Sequence, residues 1–117
     1  MKNHQNEVQS CIDVCQECHD VCQETLFGHC LQMGGEHVGK EHVKLMMDCI
    51  ELCQAAANFM RRDSQFHAYV CAACAEICEA CAESCAEVGG RRMKECADVC
   101  YLCAEKCREM GVMRSAA

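Results

Sequence analysis

The sequence predicts an all-α protein, an antiparallel up-down-up-down four-helix bundle with a cysteine-lined core. Three observations predict it. A template C-x3-C-x2-C-x3-C recurs four times within 117 residues. Its steps of 4, 3 and 4 follow one face of an α-helix. The chain has no proline, and two of its three breaks fall at paired glycines, Gly34-Gly35 and Gly89-Gly90.

The four segments align in order. The first is Cys11-IDV-Cys15-QE-Cys18-HDV-Cys22, whose face continues through Leu26 to Cys30. The last two steps there are both four, so this stripe drifts from a strict heptad, on which His29 lies instead. The second is Cys49-IEL-Cys53-QA-Ala56-ANF-Met60, with Ala56 and Met60 in cysteine slots and with His42 and Met46 on the same face upstream. The third is Cys74-AEI-Cys78-EA-Cys81-AES-Cys85, preceded on its face by His67 and Cys71. The fourth is Cys96-ADV-Cys100-YL-Cys103-AEK-Cys107, flanked by Met93 and Met110. The positions between are rich in Ala, Glu, Asp, Gln and Lys, which suit solvated helix surfaces. Helices are expected at roughly 4–32, 40–62, 64–88 and 91–111, with Asp63 or Ser64 as N-cap of the third. Short connections force sequential neighbours antiparallel, so all four stripes face one axis.

Length and composition bound the rest. Residues 1–117 make one domain's worth of chain. Eleven Lys and Arg against 18 Asp and Glu give a net charge of -7, which argues against a nucleic-acid binder. Val, Ile, Leu and Phe make up only about 17% of the chain, a level that by itself suggests disorder. The sixteen cysteines supply the missing core material. The opening MKNHQNEVQSC has no apolar run, twin arginine or small-residue cleavage site, and no stretch is long and apolar enough to span a membrane. A cytosolic protein is therefore expected, with its thiols reduced.

Reduced thiols at such spacing point to metal. Residues four apart on a helix have Cβ atoms about 5–6 Å apart, so two thiolates can converge on one ion. Cu(I) is soft and favours thiolate and thioether ligands. Pairs of this kind are Cys11/Cys15, Cys18/Cys22, Cys49/Cys53, Cys74/Cys78, Cys81/Cys85, Cys96/Cys100 and Cys103/Cys107. Cys71 can pair with Cys74 or His67, and Cys30 must find partners across the bundle. Multiple monovalent ions would also neutralise sixteen buried thiolates. Two other readings use the same cysteines: a zinc or general metal-thiolate buffer, and an interaction bundle with redox-sensitive thiols. Tetrahedral zinc needs four ligands from different directions, and continuous stripes argue against that. No C-x2-C is privileged, as a redox catalyst would need, so no enzyme is expected.

The chain resembles the Csp family of bacterial copper storage proteins, in its cytosolic branch without an export signal. The repeated stripes carry the resemblance. Its most family-like stretch runs from Asp63 to Met110, through DSQFHAYVCAACAEICEACAESC and KECADVCYLCAEKCREM. The similarity covers the chain from about Cys11 onward. It implies a four-helix bundle that fills its core with many Cu(I) ions, usually as a homotetramer. It implies ligands from the core cysteines, plus a few His, Met or carboxylate groups at one open mouth. A copper chaperone is a candidate partner. One departure is plain: the linker before the fourth helix, EVGGRRMKEC, lacks the histidines family members often carry there. The antiparallel layout puts Met33, His37, His42, Met46 and Met93 at that end, and this set is expected to serve the mouth. His67 is expected at the opposite, closed end. His4, His19 and His29 are read as surface residues, and Arg61-Arg62 and Arg91-Arg92 as groups near helix ends.

Overall fold

A computed structural model describes the backbone of residues 2–116 and the side chains of residues 4–111. Helix α1 spans Lys2–Thr25 and continues through a π-helical turn, Leu26–Cys30, into a last α turn, Leu31–Met33. A 3-10 turn, Gly35–Val38, leads into α2, Lys40–Arg61. Helices α3, His67–Val88, and α4, Arg91–Ala116, complete an elongated bundle of 47 × 20 × 20 Å. Helix α1 packs on α2 and α4, and α3 packs on α2 and α4, so the four form a closed square. The described residues contain no strand. The expected all-α four-helix bundle is the observed one.

The glycine pairs end helices as expected. Gly34 and Gly89 have φ of 72° and 82°, and their N–H groups bond to the carbonyls of Cys30 and Cys85 at 3.1 Å. The α2–α3 connection differs from expectation. Helix α3 begins at His67, not near residue 64. Asp63 does not cap α3 but closes α2, in a left-handed conformation with φ of 51°. Its N–H reaches the Met60 carbonyl at 3.1 Å, and the Ser64 N–H reaches the Phe59 carbonyl at 3.0 Å. That pair of bonds is a Schellman ending. Ser64 Oγ instead accepts from the Phe66 N–H at 3.1 Å, holding the turn before α3.

The π turn resolves the drift in the first stripe. A strict heptad from Cys22 would place Thr25 and His29 inside. One extra residue in the turn rotates Leu26 and Cys30 inward. Thr25 and Leu26 are both buried, Cys30 is fully buried, and His29 is left half-exposed at the rim.

Between cysteines the core uses alanine. Ala56, Ala57, Ala75, Ala82, Ala97 and Ala104 are buried and let the helices approach closely. Every one of the sixteen cysteines has zero exposure. No helix among the described residues is long and apolar enough to cross a membrane.

Candidate metal centre: a sulfur-lined axis with a mixed-donor mouth

The helical steps of the template aim the cysteine side chains of all four helices at the bundle axis. Their sulfurs form an unbroken path. From Cys11 it runs to Cys107 (3.9 Å), Cys15 (3.4 Å), Cys103 (3.7 Å), Cys53 (3.8 Å) and Cys49 (3.9 Å). It continues to Cys22 (3.8 Å) and Cys96 (3.6 Å). Side branches join Cys18, Cys74, Cys78, Cys81 and Cys100. All sixteen are free thiols.

Within the path, sulfurs gather in fours. Cys15, Cys74, Cys103 and Cys107 lie within 4.8 Å of one another. So do Cys18, Cys53, Cys78 and Cys103, and again Cys18, Cys22, Cys49 and Cys100. Four thiolates around an ion at about 2.3 Å stand about 3.8 Å apart, so sulfurs within 4.8 Å of one another are close to the spacing of a metal shell. This corrects the sequence argument against tetrahedral sites. Stripes on one helix are continuous, but the bundle makes ligands converge from three or four helices at each group. Geometry at a single group therefore does not exclude zinc. What distinguishes the core is continuity: Cys103 and Cys18 each belong to two groups, so the groups cannot be filled as separate closed sites. Bridging thiolates between closely spaced monovalent ions suit such a layout better than isolated divalent ones.

The mouth lies where the π turn, the start of α2, the end of α3 and the start of α4 meet. Cys30 Sγ is 3.7 Å from Met93 Sδ, 4.0 Å from Met46 Sδ and 3.8 Å from His42 Nε2. Met46 and Met93 are fully buried and His42 is nearly so. Thiol, thioether and imidazole thus converge from three segments, and Cys30 finds its partners there. The other His42 ring nitrogen, Nδ1, lies 2.8 Å from Ser84 Oγ on α3. Burial lowers the His42 pKa from its ordinary 6.5, with Cys85 opposing and His37 assisting, so the ring is neutral at neutral pH.

The remaining mouth candidates fare differently. His37 is half-buried and packs edge-on against His29, with ring centroids 5.1 Å apart. His29 is therefore part of the rim, contrary to its reading as a plain surface residue. Met33 is exposed and stands outside the Cys30 cluster. His19 is also no surface group: it is half-buried, and its Nδ1 donates to the Ile50 carbonyl at 2.8 Å, tying α1 to α2. His4 is exposed. At the far end, His67 is half-buried and its Nδ1 donates to the Ser64 carbonyl at 2.9 Å. Cys71 there interacts with Cys107 and Cys11. Sequence reasoning missed Ser84, whose hydroxyl carries no periodic signal.

The thiols differ in their protons. Burial pushes Cys30 up to about 11, reinforced by Cys85 and Cys96. Cys85 accepts a hydrogen bond from Cys81, yet Cys96 and burial push it up to about 12. Cys100 favours the Cys22 thiolate, but Cys18, Cys49 and burial push Cys22 up to about 11. Deep in the core, Cys49 is drawn the other way, because S–H groups of Cys100, Cys18, Cys22 and Cys53 surround it as donors. The metal-free core is thus a network of mostly protonated thiols that behave as small apolar groups.

The family model for Csp, copper storage protein, matches residues 4–112. The chain belongs to the Csp family. A crystal structure of a Nitrosospira multiformis protein shares 46% identity with it at a TM-score of 0.89, covering 93% of this chain and 98% of that one. The Cu(I)-bound copper storage protein BsCsp3 shares 33% identity at a TM-score of 0.83, covering 90% of this chain and 98% of that one. An uncharacterised cysteine-rich protein of Bacillus subtilis is 35% identical over 79 residues, 68% of this chain and 72% of the relative. The Csp fold thus accounts for the square bundle and its inward cysteine stripes.

Proposed function

We propose that this Csp protein stores copper, holding multiple Cu(I) ions along the sulfur-lined axis. The observation that carries the reading is the unbroken path of buried thiols from Cys11 to Cys96, with no step longer than 3.9 Å. The ligands are the sixteen cysteines: Cys11, Cys15, Cys18, Cys22, Cys30, Cys49, Cys53, Cys71, Cys74, Cys78, Cys81, Cys85, Cys96, Cys100, Cys103 and Cys107. Copper arrives at Cys30, His42, Met46 and Met93, and passes inward by ligand exchange from one sulfur to the next. Soft, neutral thioether and imidazole donors bind Cu(I) less firmly than thiolates, which suits a way station. His37 assists at the rim, and His67 has the weaker claim, at the closed end. Each ion displaces a thiol proton, so uptake tightens as pH rises.

The role is storage without catalysis, in a cytoplasmic setting where free thiols persist. Assembly as a tetramer and exchange with a copper chaperone belong to the same reading. Exposed Phe27, Leu31, Phe66, Tyr69, Tyr101 and Leu102 offer apolar surface for such contacts.

The test is an anaerobic titration of the reduced metal-free protein with Cu(I), against a chromophoric Cu(I) chelator and with Zn(II) as competitor. More than about ten Cu(I) per chain should be withheld from the chelator and resist zinc. Saturation at about four ions or fewer, or displacement by zinc, contradicts storage of copper. In the same assay, His42→Ala and Met46→Leu should slow loading and unloading while leaving capacity nearly intact. Lost capacity at unchanged rates would remove them from the path.

A further inference from the structure

Ser84 occupies a slot that an apolar side chain fills in every other pair but one, where Lys106 stands. In each C-x3-C pair of the repeat, the residue just before the second cysteine sits at the helix–helix seam. That column reads Val14, Val21, Leu52, Ile77, Val99 and Lys106, with Phe59 before the Met60 slot. Ser84, before Cys85, is its one small hydroxyl. It stands where His42 reaches across from α2, with Oγ 2.8 Å from Nδ1 and well inside hydrogen-bond range. The opposite ring nitrogen, Nε2, faces Cys30 Sγ at 3.8 Å.

We propose that Ser84 is a positioning residue for copper uptake: its hydroxyl accepts the Nδ1 proton of His42 and so holds the Nε2 lone pair toward Cys30. The inference rests on the copper-storage reading of the same site. An imidazole ligates only through an unprotonated nitrogen, and a neutral ring has one such nitrogen. Which one is free depends on the bond the other makes. Without an acceptor at Nδ1, the proton is free to occupy Nε2, and the lone pair then turns away from the sulfur. The Cys30 S–H can donate to Nε2 in the metal-free protein, and Cu(I) replaces that proton when it binds. Met46 and Met93 carry no proton and need no such orientation. His42 is the mouth donor whose chemistry depends on a neighbour, and Ser84 is that neighbour.

The experiment uses the full chain with 15N-labelled histidine. Two-bond 1H–15N correlation spectra of the reduced metal-free protein read the His42 tautomer directly. The expected result is a protonated Nδ1 and a bare Nε2 in the parent, and Nε2–H or a mixture in Ser84→Ala. Cu(I) is diamagnetic, so the loaded protein can be read in the same way. Transfer of Cu(I) to and from a chelator should slow by about tenfold to hundredfold in Ser84→Ala, with Ser84→Thr restoring it. Combining Ser84→Ala with His42→Ala should add nothing to His42→Ala alone. An Nε2–H tautomer in the parent overturns the proposal. So does parental transfer in Ser84→Ala, or a full additional penalty in the double variant. Failure of the storage reading looks different, because the parent then takes up few Cu(I) ions whatever the tautomer of His42.

Discussion

Cys30 is where the stripes stop being purely sulfur. Its neighbours are two thioethers and an imidazole, and burial holds its thiol protonated well beyond neutral pH. That protonation has a measurable consequence for the metal-free protein. The Cys30 pKa is raised from 9.0 to about 11 in the folded state. Below pH 9.0 both folded and unfolded chains keep the proton, and its contribution to stability is fully present. Above that, the unfolded chain ionises first and the folded state loses ground, until Cys30 itself ionises near pH 11. Cys22 and Cys85 act in the same direction. Urea denaturation of the reduced apo-protein should show a fall in stability above about pH 8.5 as these raised thiols lose their protons in the unfolded chain. Cys30→Ala should soften that fall. Stability that rises through this window would contradict a protonated thiol core.

At the scale of elements, the π turn at Leu26–Cys30 behaves as a one-residue insertion in a regular helix. Removing Gly28 should restore a plain α-helix and bring Cys30 onto the strict heptad position, still facing the axis. The deletion also removes a glycine from a helical segment, a gain of about 1 kcal/mol in helix propensity. Circular dichroism should show helix content kept and thermal stability equal or higher, with Cu(I) capacity unchanged. Loss of copper from the mouth would show that the turn is needed for more than aiming Cys30.

The elements were the most legible part of the sequence. The 4-3-4 steps located α2 almost to the residue, and the start of α4 at Arg91, because a helix face is written directly in periodicity; α4 runs on to Ala116, past the expected end at 111. The start of α3 was misplaced because Asp63 and Ser64 suit either an N-cap or a helix ending. Only the backbone, with Asp63 left-handed, decides between them. The inward cysteine stripes were legible for the same reason as the helices. The convergence of sulfurs in fours was not, since it depends on the register between helices. Nor was Ser84, whose value comes from a single hydroxyl meeting a ring nitrogen across the bundle. His19 and His29 were misjudged because one helix's pattern says nothing of the neighbour that covers it.

Across the whole molecule, storage has to be compatible with charge. The chain carries a net charge of -7, with acidic residues on the outside and mostly protonated thiols inside. If each Cu(I) replaces one proton, loading leaves the net charge unchanged. Isoelectric focusing under anaerobic conditions should therefore find apo and loaded protein both near the sequence value of 5.3. A clear basic shift would mean copper bound in excess of displaced protons, and an acidic shift would mean uncompensated thiolates. The same argument explains why the bundle can stand without metal. Protonated thiols are small apolar side chains, and among the described residues no buried side-chain nitrogen or oxygen lacks a partner.

The most direct test is a crystal structure of the Cu(I)-loaded protein with anomalous data collected at the copper edge. The account predicts a row of copper peaks along the axis from Cys11 to Cys96, each held by two or three cysteine sulfurs, with a further peak at Cys30, His42 and the thioethers. Copper confined to the surface or the mouth, with the axial cysteines unligated or joined as disulfides, would contradict it.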